Sequence, residues 1–127
     1  MPLIDGAQIT KSIKMVKNEK FEERQVKFLV AQLVIGIGYL HEQSIMHCDI
    51  KMSNLLLDNQ GYLKIIGFGK AKVLRHNQEE LQPRCSPQYS PPEIVLGQAF
   101  DMSADWWAVG VVAYALMFGV APFADSN

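Results

Sequence analysis

The sequence predicts a mainly helical fold with one small β-hairpin. Two long stretches read as helices and one short stretch reads as paired strands. Over residues 22–43, Val26, Leu29, Leu33, Ile37 and Leu40 fall at three- and four-residue intervals, the spacing of one buried helix face. Residues 104–120 are apolar nearly all round, as in the central helix of a globular core. Between them, apolar runs at Asn54–Leu57 and Tyr62–Ile66 flank the turn Asp58-Asn59-Gln60-Gly61, a hairpin pattern.

Taken in order, residues 1–20 are mixed, with lysines at 11, 14, 17 and 20. Ile9, Ile13 and Val16 have helical spacing, so a short surface helix is expected with the lysines on its solvated side. In the first long helix, Glu22 and Glu23 suit the positive N-terminal end of the dipole. Gly36 and Gly38 each cost a helix interior about 1 kcal/mol relative to Ala, which predicts close approach of a neighbour. They form no phosphate loop, because they sit mid-helix with no strand before them. Residues 70–92 are polar and contain prolines, so a loop with little regular structure is expected. Asp105, at the start of the second long helix, is placed to cap it. Trp106 to Ala124 is an uncharged run of 19 residues between Asp105 and Asp125. A membrane span is therefore an alternative to a core helix, but Gly110, Gly119 and Pro122 argue against it.

Composition narrows the classes. A chain of 127 residues is one small domain or part of a larger one, and a hydrophobic fraction of 49% suffices for a core. A net charge of −1 gives no broad electrostatic case for nucleic acid or an anionic membrane. Cys48 and Cys85 form neither a C-x-x-C pair nor a metal spacing, which predicts a reduced, intracellular and cytoplasmic setting. The start, Met1-Pro2-Leu3-Ile4-Asp5-Gly6, lacks the pattern of a signal peptide.

The chemistry concentrates in Ile45-Met46-His47-Cys48-Asp49-Ile50-Lys51-Met52-Ser53-Asn54-Leu55-Leu56, followed by Gly67-Phe68-Gly69. A carboxylate, a cation and an amide on one short loop suit phosphate chemistry. This stretch resembles the catalytic loop and metal-binding turn of eukaryotic protein kinases, H-R-D-x-K-x-x-N-L-L followed by D-F-G. Two positions depart: Cys48 stands for the Arg and Gly67 for the metal-binding Asp. Cys85-Ser86-Pro87-Gln88-Tyr89-Ser90-Pro91-Pro92-Glu93 looks like the family's C-G-T-P-E-Y-x-A-P-E, one residue shorter. Asp105-Trp106-Trp107-Ala108-Val109-Gly110 and Pro122-Phe123 resemble blocks of the cyclic-nucleotide-dependent, AGC-like group.

The resemblance implies roles. Asp49 would accept the substrate hydroxyl proton, Lys51 would neutralise the transferring phosphoryl group, and Ser86 would contact both. Asn54 would hold magnesium. Leu56, Val112 and Leu116 would lie under the adenine. His47 and Phe68 would belong to a packed stack anchored by Asp105, and Glu93 would be a structural carboxylate. Ser53 and Ala115 stand where basic-directed relatives carry acidic residues. Singly, each residue has a blander reading as core, turn or solvated surface; the ordered motif raises the functional one.

The departures set the functional expectation. Gly67 offers magnesium no carboxylate, and Asn54 alone is a poor ligand set for a hard dication. No Gly-rich loop followed by a V-A-I-K-like strand occurs in residues 1–127. No Ser, Thr or Tyr lies between Lys70 and Arg84, and Cys48 cannot pair with a phosphate as an Arg would. The expectation is a partial, pseudokinase-like Ser/Thr kinase domain: a C-terminal lobe, residues 1–127, without its N-terminal lobe. It would run from the helix before the catalytic loop to just past the central helix. Such a domain binds ATP and magnesium weakly or not at all. It would act by binding a protein substrate or a regulatory partner, another kinase included. The alternatives are an active ATP-dependent Ser/Thr kinase whose other lobe lies outside this chain, and a membrane-anchored fragment using residues 106–124.

Overall fold

Glu22 opens the first long helix through a reciprocal cap. Its backbone N–H donates to Gln25 Oε1 at 3.0 Å, and its carboxylate takes the N–H of Gln25. The helix, α2, runs over Glu23–Glu42. The structure, a computed structural model, describes residues 6–15, 18, 20–74 and 85–123. Before α2 come β1 (Gly6–Gln8) and α1 (Ile9–Lys14). After it come β2 (Ile45–Met46), a 3-10 turn (Met52–Asn54), β3 (Leu55–Asp58), β4 (Leu63–Ile65), a second 3-10 turn (Phe68–Lys70) and β5 (Lys72–Val73). A third 3-10 turn (Pro87–Tyr89), α3 (Pro92–Val95) and α4 (Ser103–Phe118) complete the order.

The fold is mainly α with small antiparallel sheets. The hairpin β3–β4 pairs Leu55 with Ile65 and Leu57 with Leu63. Strand β1 adds to its other edge, Gly6 opposite Asp58 and Gln8 opposite Leu56, giving the order β1-β3-β4. Glycine is needed at Gly6, because a Cβ there would overlap the Leu57 carbonyl. A separate two-stranded ribbon joins β2 to β5, Ile45 opposite Val73.

The main core lies between α2 and α4, where Val26, Leu29, Leu33 and Ile37 meet Val112, Ala115 and Leu116. Ile50, Met52 and Leu55 enter the same cluster from the loop and β3. A second cluster holds Met46, Cys48, Leu74, Ile94, Phe100 and Ala104.

Several expectations need correction. Helix α1 is not merely a surface helix: Ile9 and Ile13 are buried in the main core, while Lys11 and Lys14 are exposed. Val16, Lys17 and residues 75–84 lie outside the described residues. Strand β1 was not foreseen, since three residues of mixed character carry no alternation. Asn54 belongs to a 3-10 turn rather than to the strand, which extends instead to Asp58. Part of the stretch expected to be loop is ordered as β5, the 3-10 turn at Pro87 and the start of α3.

Helix α4 is a core helix on one side only. Ala104, Asp105, Ala108, Val109, Val111 and Val112 are buried, as are Ala115 and Leu116. Trp106, Trp107, Tyr114 and Phe118 are exposed on the other. A groove of about 420 Å³ runs along that side between Trp106, Tyr114 and Phe123. No helix among the described residues is long and apolar enough to cross a membrane.

The two mid-helix glycines differ. A Cβ on Gly36 would come within 2.8 Å of Ile65 Cδ1, whereas one on Gly38 would meet nothing within 4 Å. Close packing therefore explains Gly36 and leaves Gly38 unexplained. Gly38→Ala is expected to stabilise the chain by about 0.5–1 kcal/mol in chemical denaturation. Gly36→Ala is expected to gain less or to lose stability, because Ile65 must shift.

Candidate functional site

Between β2 and the first 3-10 turn the backbone turns sharply at Cys48, which adopts φ 69°. Asp105 supports this turn from α4. It is 2% exposed, and its carboxylate accepts the His47 N–H at 2.9 Å and the Cys48 N–H at 3.1 Å. His41 Nε2, from the end of α2, lies 2.9 Å from the same carboxylate. Asp105 thus does not cap its own helix. That place is taken in part by Asp101, whose Oδ1 accepts the Ser103 N–H at 2.8 Å. The bonds from the Ser103 hydroxyl and N–H hold the Asp101 carboxyl below the usual carboxylate range.

His47 is fully buried and ties the loop to the next turn. Its Nδ1 accepts the Asp49 N–H at 3.1 Å, and its Nε2 lies 2.9 Å from the Ile66 carbonyl. These two partners fix one neutral tautomer, with the proton on Nε2. The Phe68 ring packs edge-on against His47, centroids 4.8 Å apart. His47 thus contacts both Phe68 and Asp105.

Asp49 is the centre of the site and is 8% exposed. Its Oδ1 accepts the Ser86 hydroxyl at 2.9 Å, and Lys51 Nζ reaches Ser86 Oγ at 3.2 Å. Lys51 Nζ also lies 3.6 Å from Asp49 Oδ2. Asn54 Nδ2 donates to the Asp49 carbonyl at 2.8 Å and to its Oδ2 at 3.1 Å. Ser86 sits at the entry of the third 3-10 turn, braced by the Ser90 hydroxyl donating to its carbonyl at 2.9 Å. Asp49, Lys51, Asn54 and Ser86 are thus brought together from positions up to 37 residues apart. Beside them, burial pushes the Tyr89 phenol above its usual value, offset in part by a hydrogen bond with the Met52 backbone.

Other predicted residues stand apart. Leu55, not Leu56, joins Val112 and Leu116 in the core. Leu56 is half-buried on the opposite face of β3, as strand alternation requires. Ala115, in the core beside them, is buried. Glu93 is half-buried in α3, and its side chain makes no ion pair among the described residues.

One residue escaped sequence reasoning. Lys70 Nζ lies 3.7 Å from Asp49 Oδ1. A lysine one place beyond Gly69 carries no signal of its own; only the path of the turn brings it over the carboxylate.

The turn at Gly67 offers magnesium no carboxylate. Among the described residues no group of three or more His, Cys, Asp and Glu side chains could hold a metal ion. Gly67 adopts φ 80°, and a Cβ there would fall on the Asn54 amide. Asn54 turns its amide nitrogen toward Asp49, which leaves its oxygen as the one atom it could offer a cation.

The fold and this site define a kinase-like arrangement. The protein kinase domain family model matches residues 1–127, and the chain belongs to that family. Its relatives include the serine/threonine-protein kinase sgk-1 of Caenorhabditis elegans, 36% identical over 94% of this chain and 26% of its own length. The cAMP-dependent protein kinase catalytic subunit 2 of Drosophila melanogaster is 36% identical over 100% of this chain and 35% of its own length. The cGMP-dependent protein kinase of Toxoplasma gondii is 38% identical over 97% of this chain and 12% of its own length. These are kinases of the cyclic-nucleotide-dependent and AGC-like group. The chain spans about a third or less of the length of each.

Proposed function

We propose that residues 1–127 form the C-terminal lobe of a Ser/Thr protein kinase domain impaired in phosphoryl transfer, acting through binding or regulation of a protein partner. The observation that carries this is the pairing of Gly67 with Asn54. The turn that would present a carboxylate to magnesium has none, which leaves the Asn54 amide oxygen, a neutral single-point ligand, as the metal contact the resemblance implies. Phosphoryl transfer depends on positioning and charge stabilisation, so the deficit falls on the step itself. Losing one such electrostatic partner commonly costs on the order of 10²–10³ in rate.

In this reading Asp49 keeps the position of a general base, with Ser86 at 2.9 Å marking where a hydroxyl donor can approach. Lys51 keeps the position of a phosphoryl-neutralising cation. Magnesium and ATP would contribute the charge and the transferable group in an active relative; here Asn54 and Leu56 would be their remaining contacts.

A second reading is that a longer form of the protein is an active ATP-dependent kinase. The Asp49–Lys51–Ser86 cluster favours it, since its carboxylate, ammonium and hydroxyl lie within 2.9–3.6 Å of one another. Calorimetric titration with ATP, with and without magnesium, joined to a phosphotransfer assay on a serine peptide, separates the two when run on a longer form as well as on these 127 residues. The expected result is no transfer and no tightening of nucleotide binding by magnesium. Transfer that requires magnesium would overturn the impaired reading.

A further inference from the structure

The lysine that sequence reasoning missed lies against the same carboxylate as Lys51. Lys70 closes the 3-10 turn that begins at Phe68, and the Ala71 N–H donates to the Phe68 carbonyl at 3.1 Å. The turn is fixed at both ends: Phe68 packs on His47, and β5 pairs with β2 two residues further on. Its geometry also depends on the left-handed backbone at Gly67. The result is a second ammonium beside Asp49. Lys51 lies 3.6 Å from Oδ2 and Lys70 lies 3.7 Å from Oδ1.

Charge counting gives the consequence. One carboxylate faces two ammonium groups, so the cluster carries a net charge of +1 without any bound ion. Asp49 is nearly buried, whereas the lysine side chains are 28% and 42% exposed, so both are open to solvent. Each ammonium has three donors, and one carboxylate does not use them all. Two cations flanking one anion, with the Ser86 hydroxyl between, form a binding place for a second anion.

We propose that Lys70 and Lys51 form a metal-independent phosphate-binding site beside Asp49. The ligand class is a phosphate ester or polyphosphate free of magnesium. Magnesium weakens the interaction, because it neutralises the oxygens that the lysines would bind. This rests on the reading of the site as kinase-derived and poor in metal ligands.

The test is calorimetric titration of the 127-residue chain in excess EDTA with ATP, tripolyphosphate and adenosine. ATP and tripolyphosphate are expected to bind and adenosine is not. Equal affinity for the first two means that the phosphate chain is all that is recognised. Tighter binding of ATP means that a nucleotide is the source. Lys70→Ala is expected to weaken both about tenfold or more, the value of one charge-assisted hydrogen bond. Lys70→Arg is expected to stay within about threefold of the parent, because the charge and donors remain. With 42% of its side chain exposed, Lys70 can be replaced with little change in melting temperature, so lost binding is not lost folding.

Adenosine binding as tightly as ATP, unaltered binding by Lys70→Ala, or binding only with magnesium present would each overturn the proposal. Failure here with no phosphotransfer leaves the impaired-kinase reading standing. Magnesium-dependent transfer with Lys70-independent binding removes both.

Discussion

Replacing Asp105 by alanine is expected to cost about 3–5 kcal/mol of folding stability, the scale of a broken buried charged network. The carboxylate is 2% exposed and takes two backbone N–H groups, those of His47 and Cys48, in a place no water reaches easily. Each donor left unsatisfied costs about 1–3 kcal/mol. Cys48 adds to the effect, since its φ of 69° is held by the bond that would be lost. Thermal melting by circular dichroism should fall by roughly ten degrees or more for a chain of this size. Asp105→Asn keeps an acceptor oxygen and should lose about half as much. A melting point for Asp105→Ala within two or three degrees of the parent would show that the loop stands without its anchor.

Gly67→Asp restores the missing carboxylate on paper but is expected to weaken the chain by about 2–4 kcal/mol and to restore no phosphoryl transfer. A side chain in the left-handed region costs about 1–2 kcal/mol, although Asp tolerates it better than most. The new Cβ would fall on the Asn54 amide, which must swing away and release its bonds to Asp49. A second carboxylate would then meet Asp49, with Lys70 and Lys51 already beside it. Melting curves and a radiolabelled phosphotransfer assay check both halves. Measurable transfer by the single variant would mean that the carboxylate alone was the defect.

Much of the site was legible because it is local in sequence. Asp49, Lys51 and Asn54 share one loop, and the ordered blocks around Ser86 and Asp105 said which distant residues should meet it. The long helices were legible for a similar reason: α2 carries a stripe that only one period fits. What stayed hidden depends on the path of the chain in space. Lys70 reaches Asp49 only because Gly67 is left-handed and Phe68 is pinned by His47. Asp105 looked like a cap because capping is judged from position along the chain, while its partners lie 57 and 58 residues away. The burial of α1 and the pairing of β1 with β3 are tertiary events that override weak local preference.

Both tryptophans of the chain, Trp106 and Trp107, sit in the first turns of α4. Trp106 meets the edge of His41 at 5.3 Å, and Trp107 stacks on Phe123 at 5.8 Å. Intrinsic ultraviolet emission from this protein will thus report on a single helix and its apolar groove. A ligand settling on the lysines can leave that emission unchanged, and a rise in fluorescence on adding a compound would point first to the groove. Calorimetry or phosphorus resonance, rather than indole quenching, is the suitable readout for the Asp49 side of the molecule.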